Sequence, residues 1–569
     1  MVENREVARI FDEIADILEV LDGDKFKIRA YRRAARTIEN LTADLSRFKS
    51  KNELKKLPGI GDALAKKIYE IITTGRLKYY EDLRNSLPAG LLELLSIPGV
   101  GPKTVAKLFR ECGITDIASL ERAAKNHELQ HLFGMGAKTE EKILKGIALY
   151  RRQKERTPLD VAYFQAKRIV ESLKNLESAV EISYAGSIRR MKETIGDIDI
   201  LVASHRPRDV MDAFKTLEGV SEVIASGERK TSVIIGDIQA DLRVVDPDSF
   251  GSALQYFTGS QLHNIKLREL ALRKGLKLNE YGVFRQDEKI AGRREEDVYH
   301  SLGLSFIPPE LREGQDEIEA AARGELPDLI ELSDIRGDLH VHSDWSDGRS
   351  SIREIVDKAR SLEYEYIAIS DHTPAVGITG GLDEKRLIRQ MDEIERINGD
   401  LDDFRVLSGI EVDIRSDNRL DLPDKILEKL DIVIAAVHTN LTQKKEEMTA
   451  RILSAIENPN VDIIAHPTGR IIGKRDPYDV DIEALIDAAG STGTILELNA
   501  NPRRLDIKDT HARYAKKKGV KVAISTDAHD TSQMEYMHFG VATARRGWLE
   551  KDDVLNTRSL DELLRTLKP

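Results

Sequence analysis

Nine side chains able to bind a metal ion stand at or just past the ends of short apolar runs in residues 335–569: His340, His342, Asp347, His372, Glu411, His438, His466, Asp527 and His529. The runs are Gly337–Gly348 (GDLHVHSDWSDG), Ile367–His372 (IAISDH), Val406–Asp413 (VLSGIEVD), Ile432–His438 (IVIAAVH), Val461–Pro467 (VDIIAHP) and Val520–His529 (VKVAISTDAH). A strand that repeatedly ends in His, Asp or Glu describes a parallel barrel with a metal cluster at its mouth. One ion takes about four to six ligands of this kind, so nine require two or three ions. Imidazole with carboxylate suits Zn²⁺, Mn²⁺ or Fe²⁺. A lone histidine is more often structural, but six of the 13 histidines of the chain sit at these ends. A seventh run, Thr494–Asn501 (TILELNAN), has the right spacing but ends in Asn499 and Asn501, so it is expected to supply no ligand.

A second constellation lies earlier. In a strand, Asp197 and Asp199 project from one face and Ile198 and Ile200 from the other. Alternation in Gln239–Val245 puts Asp241 on the polar face of another strand. Three carboxylates on adjacent strands repel unless cations join them, and such a trio can hold two Mg²⁺ or Mn²⁺ for a phosphoryl displacement. Taken alone, Asp-x-Asp also fits a solvated strand face.

A chain of 569 residues implies several domains. The net charge of −11 is unevenly spread: residues 1–300 hold 51 Lys+Arg against 46 Asp+Glu, leaving 36 against 52 for the rest. The acidic excess falls on the metal-ligand half, where cations would offset it, and the front half is free to meet phosphates. Cys112 is the sole cysteine, which excludes intrachain disulfides and points to a reducing, cytoplasmic setting. No run of about 18 apolar residues suggests a membrane span, and the acidic, amphipathic first helix lacks a signal-peptide core.

Residues 1–85 read as short helices with a basic stretch at Lys25–Arg36. Leu57-Pro-Gly59-Ile-Gly61 opens one helix, and Ile97-Pro-Gly99-Val-Gly101 opens another 40 residues on. A looser third copy is Phe133-Gly-Met-Gly136. Repeated Gly turns before lysine-bearing helices describe helix–hairpin–helix motifs, whose backbone N–H groups meet DNA phosphates without reading sequence. The expected organisation is a helical hairpin domain (1–85), a second hairpin domain (86–154), a mixed α/β region (155–245 and 246–310), a Pro- and acid-rich linker (311–334) and a TIM-like (β/α)7 barrel (335–569).

The motifs of the front half, GS-x-RR, GD-x-D, AD-x-R, Tyr256–Asn264 (YFTGSQLHN), Lys266-Leu-Arg268 and Asn279-Glu-Tyr281, occur in the order found in the family X DNA polymerases, the group that includes DNA polymerase beta. This resemblance covers residues 1–300 and implies a nucleotidyltransferase palm at 155–245 and a nucleotide-selecting thumb at 246–310. It implies template-directed nucleotidyl transfer at short gaps in gapped or nicked DNA, with deoxynucleoside triphosphates as substrates and a monomeric enzyme. By that match Asp197 and Asp199 bind both metals, and Asp241 binds the catalytic metal. Gly186, Ser187, Arg190 and Gly196 cradle the triphosphate. Tyr256, Phe257 and Gly259 line the sugar, while Asn264 and Arg268 lie on the minor-groove side of the new pair. Gly59, Gly61, Gly99 and Gly101 contact DNA. Lys67, with Lys27 and Tyr31 nearby, falls where a deoxyribose-phosphate lyase nucleophile lies, although a phosphate-contacting lysine fits the same place. Two departures stand out: Gln261 replaces an Asp, and His263 replaces an apolar residue, both expected beside the incoming base.

The back half resembles the PHP (polymerase and histidinol phosphatase) superfamily through HxH, SDG, SDH, GIE, VH, AHPTGR and STDAH, in that order. This implies a trinuclear site that hydrolyses phosphoesters, with Glu411 as a bridging ligand and Arg470 as a phosphate clamp. The whole architecture resembles bacterial and archaeal family X polymerases with a C-terminal PHP domain, where that domain is associated with 3′→5′ exonuclease action, 3′-end cleaning and abasic-site cleavage. Two other readings of the barrel are a phosphatase for a small phosphomonoester and a metal-stabilised scaffold for the polymerase.

Overall fold

The structure is a computed structural model that describes residues 4–39, 45, 48, 50–97, 99–132, 134–154, 156–375, 377 and 379–567. The chain divides into two units, Met1–Glu155 and Arg156–Pro569.

The first unit is helical. Helix α1 (Asn4–Val20) packs on α2 (Lys25–Glu39) and shares a core with α3 (Asp62–Thr74). Its apolar stripe serves two cores. Phe11 and Ile14 are buried with Tyr31, Ile38, Ile68 and Ile71. Ile17 and Val20, a turn further on, are buried with Val105, Leu108, Leu120 and Ile147. The two hairpin domains expected on either side of residue 85 are therefore joined through one helix. The hairpin turns form as the glycines require: Gly59, Gly99 and Gly134 have φ of 75°, 84° and 77°, a region open to glycine and strained for other residues. Gly61 and Gly101 then cap α3 and α4 (Pro102–Cys112). Pro98 and Phe133, within the second and third copies, lie outside the described residues.

In the second unit, α5 (Leu159–Lys174) lies against a five-stranded palm sheet. Its strands are β1 (Glu181–Tyr184), β2 (Ile198–Ala203), β3 (Val220–Ser226), β4 (Lys230–Ile235) and β5 (Ile238–Val245), in the order β1-β2-β5-β4-β3. β2 and β5 are parallel, and their register sets Asp199 beside Asp241. The thumb is α6 (Phe250–Thr258), α7 (Gln261–Arg273) and a three-stranded sheet of β6 (Lys277–Asn279), β7 (Gly282–Arg285) and β8 (Glu288–Ala291).

Residues 311–334 do not form a free linker. Ile318 and Ala321, on α8 (Glu317–Arg323), and Leu329 belong to the thumb core. Arg312 is fully buried, 2.5 Å from Glu295, and donates from Nε to the Ile307 carbonyl at 2.8 Å. Proline and acidic residues suggested a loose connection; the buried ion pair and the apolar face of α8 make it part of the core instead.

Seven parallel strands then form a nearly closed barrel: β9 (Gly337–Val341), β10 (Tyr366–Ile369), β11 (Arg405–Asp413), β12 (Ile432–Ala436), β13 (Ile463–Ile464), β14 (Ile495–Asn499) and β15 (Val522–Ser525). A parallel bridge, Val341 to Ala528, draws the last strand to the first. Leu339, Ala368, Leu407, Ile434, Ile463 and Ala523 belong to one buried core, to which Leu563 and Leu567 of the last helix add. This is a packed barrel with its chemistry at the strand ends.

Palm and barrel share apolar surface. Leu505 and Phe539, both from the barrel half, are buried in the palm core with Leu159, Ile188 and Ile198. The Phe539 ring, on α9 (Met537–Arg546), meets Tyr163 and Phe164 edge-on at centroid distances of 5.6 and 6.2 Å. Phe539→Ala should lower the stability of the second unit by about 3–5 kcal/mol, the cost of emptying a buried aromatic site. Denaturant titration measures this, and a loss under about 1 kcal/mol would show that the contact is not part of a common core.

Candidate active sites

In the palm, Asp197, Asp199 and Asp241 each offer a carboxylate oxygen within 4.8 Å of the others. Gly186 comes close beneath them: its φ is 62°, and a Cβ there would collide with the Asp199 carboxylate. The glycine of the GS motif is thus required twice, by conformation and by space. Burial, followed by the charges of Asp197 and Asp241, pushes Asp199 up to about 7. Burial would raise Asp241 as well, but hydrogen bonds from Lys230, Gln239 and Ser232 outweigh it and hold this carboxyl below the usual range. Lys230 Nζ lies 2.7 Å from Asp241 Oδ2, and Gln239 Nε2 donates to Oδ1 at 2.9 Å. With Asp241 buried, Asp199 half-buried and Lys230 the cation paired with Asp241, the trio has the charge of a divalent-metal site.

Several residues expected beside the nucleotide are tied to one another and to the thumb. Arg190 donates to the Thr258 carbonyl and pairs with Glu313 at 3.3 Å. Tyr256 and Phe257 meet edge-on at 5.1 Å, and Arg243 lies 4.4 Å over the Phe257 ring. Asn264 accepts from Gln255 at 2.7 Å and donates to the Tyr256 carbonyl at 2.7 Å, while Arg268 Nε donates to the Asn264 carbonyl at 3.3 Å. Gln261 is exposed at the start of α7. His263 is not beside an incoming base. It is fully buried, with Nδ1 2.7 Å from Glu317 and Nε2 3.1 Å from Tyr299 Oη. Its partner Glu317 comes from the segment that looked like a linker, which is why the sequence alone misplaced it.

All nine barrel residues converge. Alternation along β9 turns Asp338, His340 and His342 to one side. Asp338 accepts from Thr526 N at 3.1 Å, tying this strand to the loop that carries Asp527. Glu411 is the hub. One of its oxygens lies 3.0 Å from His466 Nε2 and 3.2 Å from His438 Nε2; the other lies 2.8 Å from His372 Nδ1 and 3.6 Å from His340 Nε2. Asp527 is 3.2 Å from His342, and Asp347 is 3.5 Å from His529. Three groups result: His342 with Asp347, His372 and His529; His340 with His342 and Asp527; and His372 with Glu411 and His438. His466 and Asp527 have φ of 29° and 52°, backbone strain that clusters at functional sites.

The electrostatics have the pattern of a site that suits cations. Burial would raise Glu411, but the charges of His438, His372 and His340 outweigh it and hold the carboxylate well below its usual range. Burial, then His529 and His372, presses His342 down to about 3. His438 is pushed up to about 9, because Glu411 and Asp413 overcome its burial. The Nδ1 atoms of His342 and His466 are buried without a hydrogen-bond partner, and His372 Nδ1 approaches Glu411 Oε2 at 2.8 Å without hydrogen-bond geometry. This donor set fits divalent ions that take imidazole and carboxylate together.

Two supporting carboxylates went unrecognised in the sequence. Glu497 lies in the middle of the seventh run, whose end supplies no member of the three groups. Its Oε1 is 2.7 Å from His340 Nδ1, and its Oε2 accepts from His466 N at 2.7 Å. Asp413, two residues past Glu411, accepts from His438 N at 3.0 Å and lies 3.2 Å from its Nδ1. The available signal was period two: Glu497 and Asn499 share a face, as do Glu411 and Asp413.

Arg470 is placed differently from the expected phosphate clamp. Four of its five N–H donors are engaged: Nη1 and Nη2 on Glu193 of the palm at 3.1 and 2.6 Å, Nε on the Arg504 carbonyl at 2.8 Å, and Nη2 again on the Leu505 carbonyl. Its side chain is only 11% exposed. The guanidinium beside the cluster belongs to Arg504, whose Nε is 3.3 Å from Asp527.

In the first unit, Lys67 Nζ sits 3.8 Å over the Tyr79 ring, which stacks on Tyr31 at 6.3 Å. Burial, with a smaller contribution from Lys27, lowers its pKa.

Comparison with known proteins assigns each part. Residues 2–77 match a helix-hairpin-helix domain, 91–148 a SAM-like helix-hairpin-helix tandem, 156–256 the DNA polymerase beta palm, 253–313 the DNA polymerase beta thumb and 338–501 the PHP domain. A Bacillus subtilis (strain 168) protein described as DNA polymerase/3′-5′ exonuclease PolX is 40% identical over 572 residues, covering 100% of both chains. A probable phosphatase of Thermoanaerobacter sp. (strain X514) is 32% identical over 39% of this chain and 89% of its own. DNA polymerase lambda of Rattus norvegicus is 26% identical over 53% of this chain and 56% of its own. The fold and the two clusters define a family X polymerase core joined to a PHP barrel. The chain belongs to the family X DNA polymerases with a C-terminal PHP domain.

Because Glu497 fixes the orientation of His340 without joining any of the three groups, Glu497→Gln should weaken divalent-ion binding about 10–100-fold. Metal titration of chelator-treated protein measures this; unchanged affinity would remove Glu497 from the support of the site.

Proposed function

We propose that this chain fills short gaps in DNA at the Asp197–Asp199–Asp241 site and processes DNA 3′ ends at the barrel site by 3′→5′ phosphodiester hydrolysis. The observation that carries this reading is that the two clusters stand on different sheets and share no residue, so the two chemistries are separable. Deoxynucleoside triphosphates are the proposed co-substrates, and gapped or nicked DNA is the proposed partner. Among the described residues no helix is long and apolar enough to cross a membrane; we place the protein in the cytoplasm as a monomer.

At the palm site, Asp197, Asp199 and Asp241 would hold Mg²⁺ or Mn²⁺, whose charge stabilises the entering and leaving oxygens of an in-line displacement. The residues of the chain do the rest. Gly186, Ser187, Arg190 and Gly196 receive the triphosphate, and Arg190 must exchange Glu313 for it. Tyr256 and Phe257, fixed edge to edge, limit the space at the sugar. Asp241, kept anionic by Lys230 and Gln239, faces the primer 3′-hydroxyl. At the barrel, the nine ligands would hold two or three Zn²⁺, Mn²⁺ or Fe²⁺, which supply Lewis acidity toward a phosphoester. Arg504 takes the phosphate-holding part first given to Arg470, since its guanidinium lies beside Asp527 with donors to spare.

The phosphatase that the barrel resembles favours a second reading, hydrolysis of a small phosphomonoester. Rates on histidinol phosphate against mismatched or 3′-phosphorylated DNA decide between them. In the first unit, Lys67, with its lowered pKa, is a proposed Schiff-base nucleophile for 5′-deoxyribose phosphate. Borohydride should trap an adduct at Lys67, and trapping that survives Lys67→Ala would overturn this role.

Asp197→Ala with Asp199→Ala should abolish nucleotide incorporation on gapped DNA and leave 3′-end hydrolysis. His340→Ala with His342→Ala should do the reverse. Loss of both activities from either pair, in protein that stays folded, would refute two independent sites.

A further inference from the structure

The segment Arg190–Glu193 joins the triphosphate cradle, Gly186–Arg190, to the strand that carries Asp197 and Asp199. Two arginines of the barrel half hold it at both ends. Arg470 grips Glu193 with two parallel hydrogen bonds, at 2.6 and 3.1 Å. Arg546, on α9, donates from Nη1 to the Arg190 carbonyl at 2.8 Å and to Glu313 at 3.0 Å, and from Nη2 to Asp509 at 2.6 Å. Both side chains are almost wholly buried, 11% and 3% exposed. Glu193 also offers its carbonyl to Leu159 N at 3.2 Å, so its backbone is fixed to the palm while its carboxylate is fixed to the barrel.

A paired guanidinium–carboxylate fork constrains orientation as well as distance. Here it acts three to four residues before Gly196 and Asp197, where small misplacements of reacting groups cost rate. Arg470 belongs to the AHPTGR motif, four residues past His466, yet its donors are spent on the palm and on two carbonyls next to the barrel site. We infer that Arg470 and Arg546 are positioning residues for nucleotidyl transfer: the hydrolytic domain supplies the brace that holds the triphosphate cradle in register with the palm carboxylates. This inference rests on the polymerase reading above.

The test compares full-length wild type with Arg470→Ala, Glu193→Gln and Arg470→Ala with Glu193→Ala, each in single-nucleotide incorporation on gapped DNA. Hydrolysis of bis(4-nitrophenyl) phosphate is followed in the same preparations. Arg470→Ala and Glu193→Gln should each reduce kcat/KM for the incoming nucleotide at least fivefold, chiefly through KM. Reporter hydrolysis should stay within twofold of wild type. The double variant should be no worse than Arg470→Ala, because both changes break one pair. Exchanging the partners, Arg470→Glu with Glu193→Arg, should recover part of the loss. Glu193→Gln keeps the shape of the side chain, so it decides the matter even where Arg470→Ala melts early.

Normal incorporation by both single variants would overturn the inference, as would additive losses in the double variant. So would a fall in reporter hydrolysis alone, which would return Arg470 to a phosphate-holding role. Wild type that incorporates no nucleotide would instead sink the proposed polymerase function, and this inference with it.

Discussion

Buried carboxylates cannot stand together without compensating positive charge, and much of this structure follows from that constraint. Two like unit charges about 4 Å apart repel by about 4 kcal/mol at the effective dielectric of a protein. The chain meets the demand in two ways. Away from the reacting groups it uses arginine: Arg312 and Arg189 flank Glu295, and Arg546 stands between Glu313 and Asp509. Where chemistry is to be done it leaves the compensation incomplete. Asp199 has two carboxylate neighbours, with Lys230 on the far side of Asp241. Glu411 is ringed by imidazoles rather than guanidiniums, groups that can give up a proton and accept an ion. The choice of cation partner therefore separates scaffold from site.

That distinction explains what could be read in the sequence. Ligands at strand ends leave a local signature, because the strand supplies the periodicity and the next residues supply the donor. Hence the nine barrel residues stand out by spacing, the Asp197/Asp199/Asp241 trio by spacing together with the family resemblance of the motifs around it, and the structure brings each set together. The seven-stranded barrel followed from the same runs, and the family comparisons agree with it. Partners that act across the chain leave no such trace. Glu497 and His340 are 157 residues apart, and Arg470 and Glu193 are 277 apart. Period two puts Glu497 on the face of Asn499, but it does not name His340 as the partner. The segment 311–334 misled for a related reason: its acidic residues looked solvated, whereas Glu317 is buried against His263 and Arg312 against Glu295.

The two clusters share no ligand, but the elements bearing them are not independent bodies. Leu505 and Phe539 complete the palm core from the barrel side, and Arg470, Arg503 and Arg546 reach across to Glu193, Asp160 and the Arg190 carbonyl. Chemistry and folding thus divide the chain at different places. A reaction depends on which donors surround the reacting phosphorus, and those sets are disjoint. Stability depends on which apolar surfaces leave water, and those are shared. A barrel cut away at residue 335 would uncover Leu505 and Phe539 and leave the palm with a hole where they had been. The 40% identical relative, matched end to end, carries both halves together. A shared core gives a physical reason for that: once the palm relies on barrel side chains to close its interior, losing the second site would cost the first its fold.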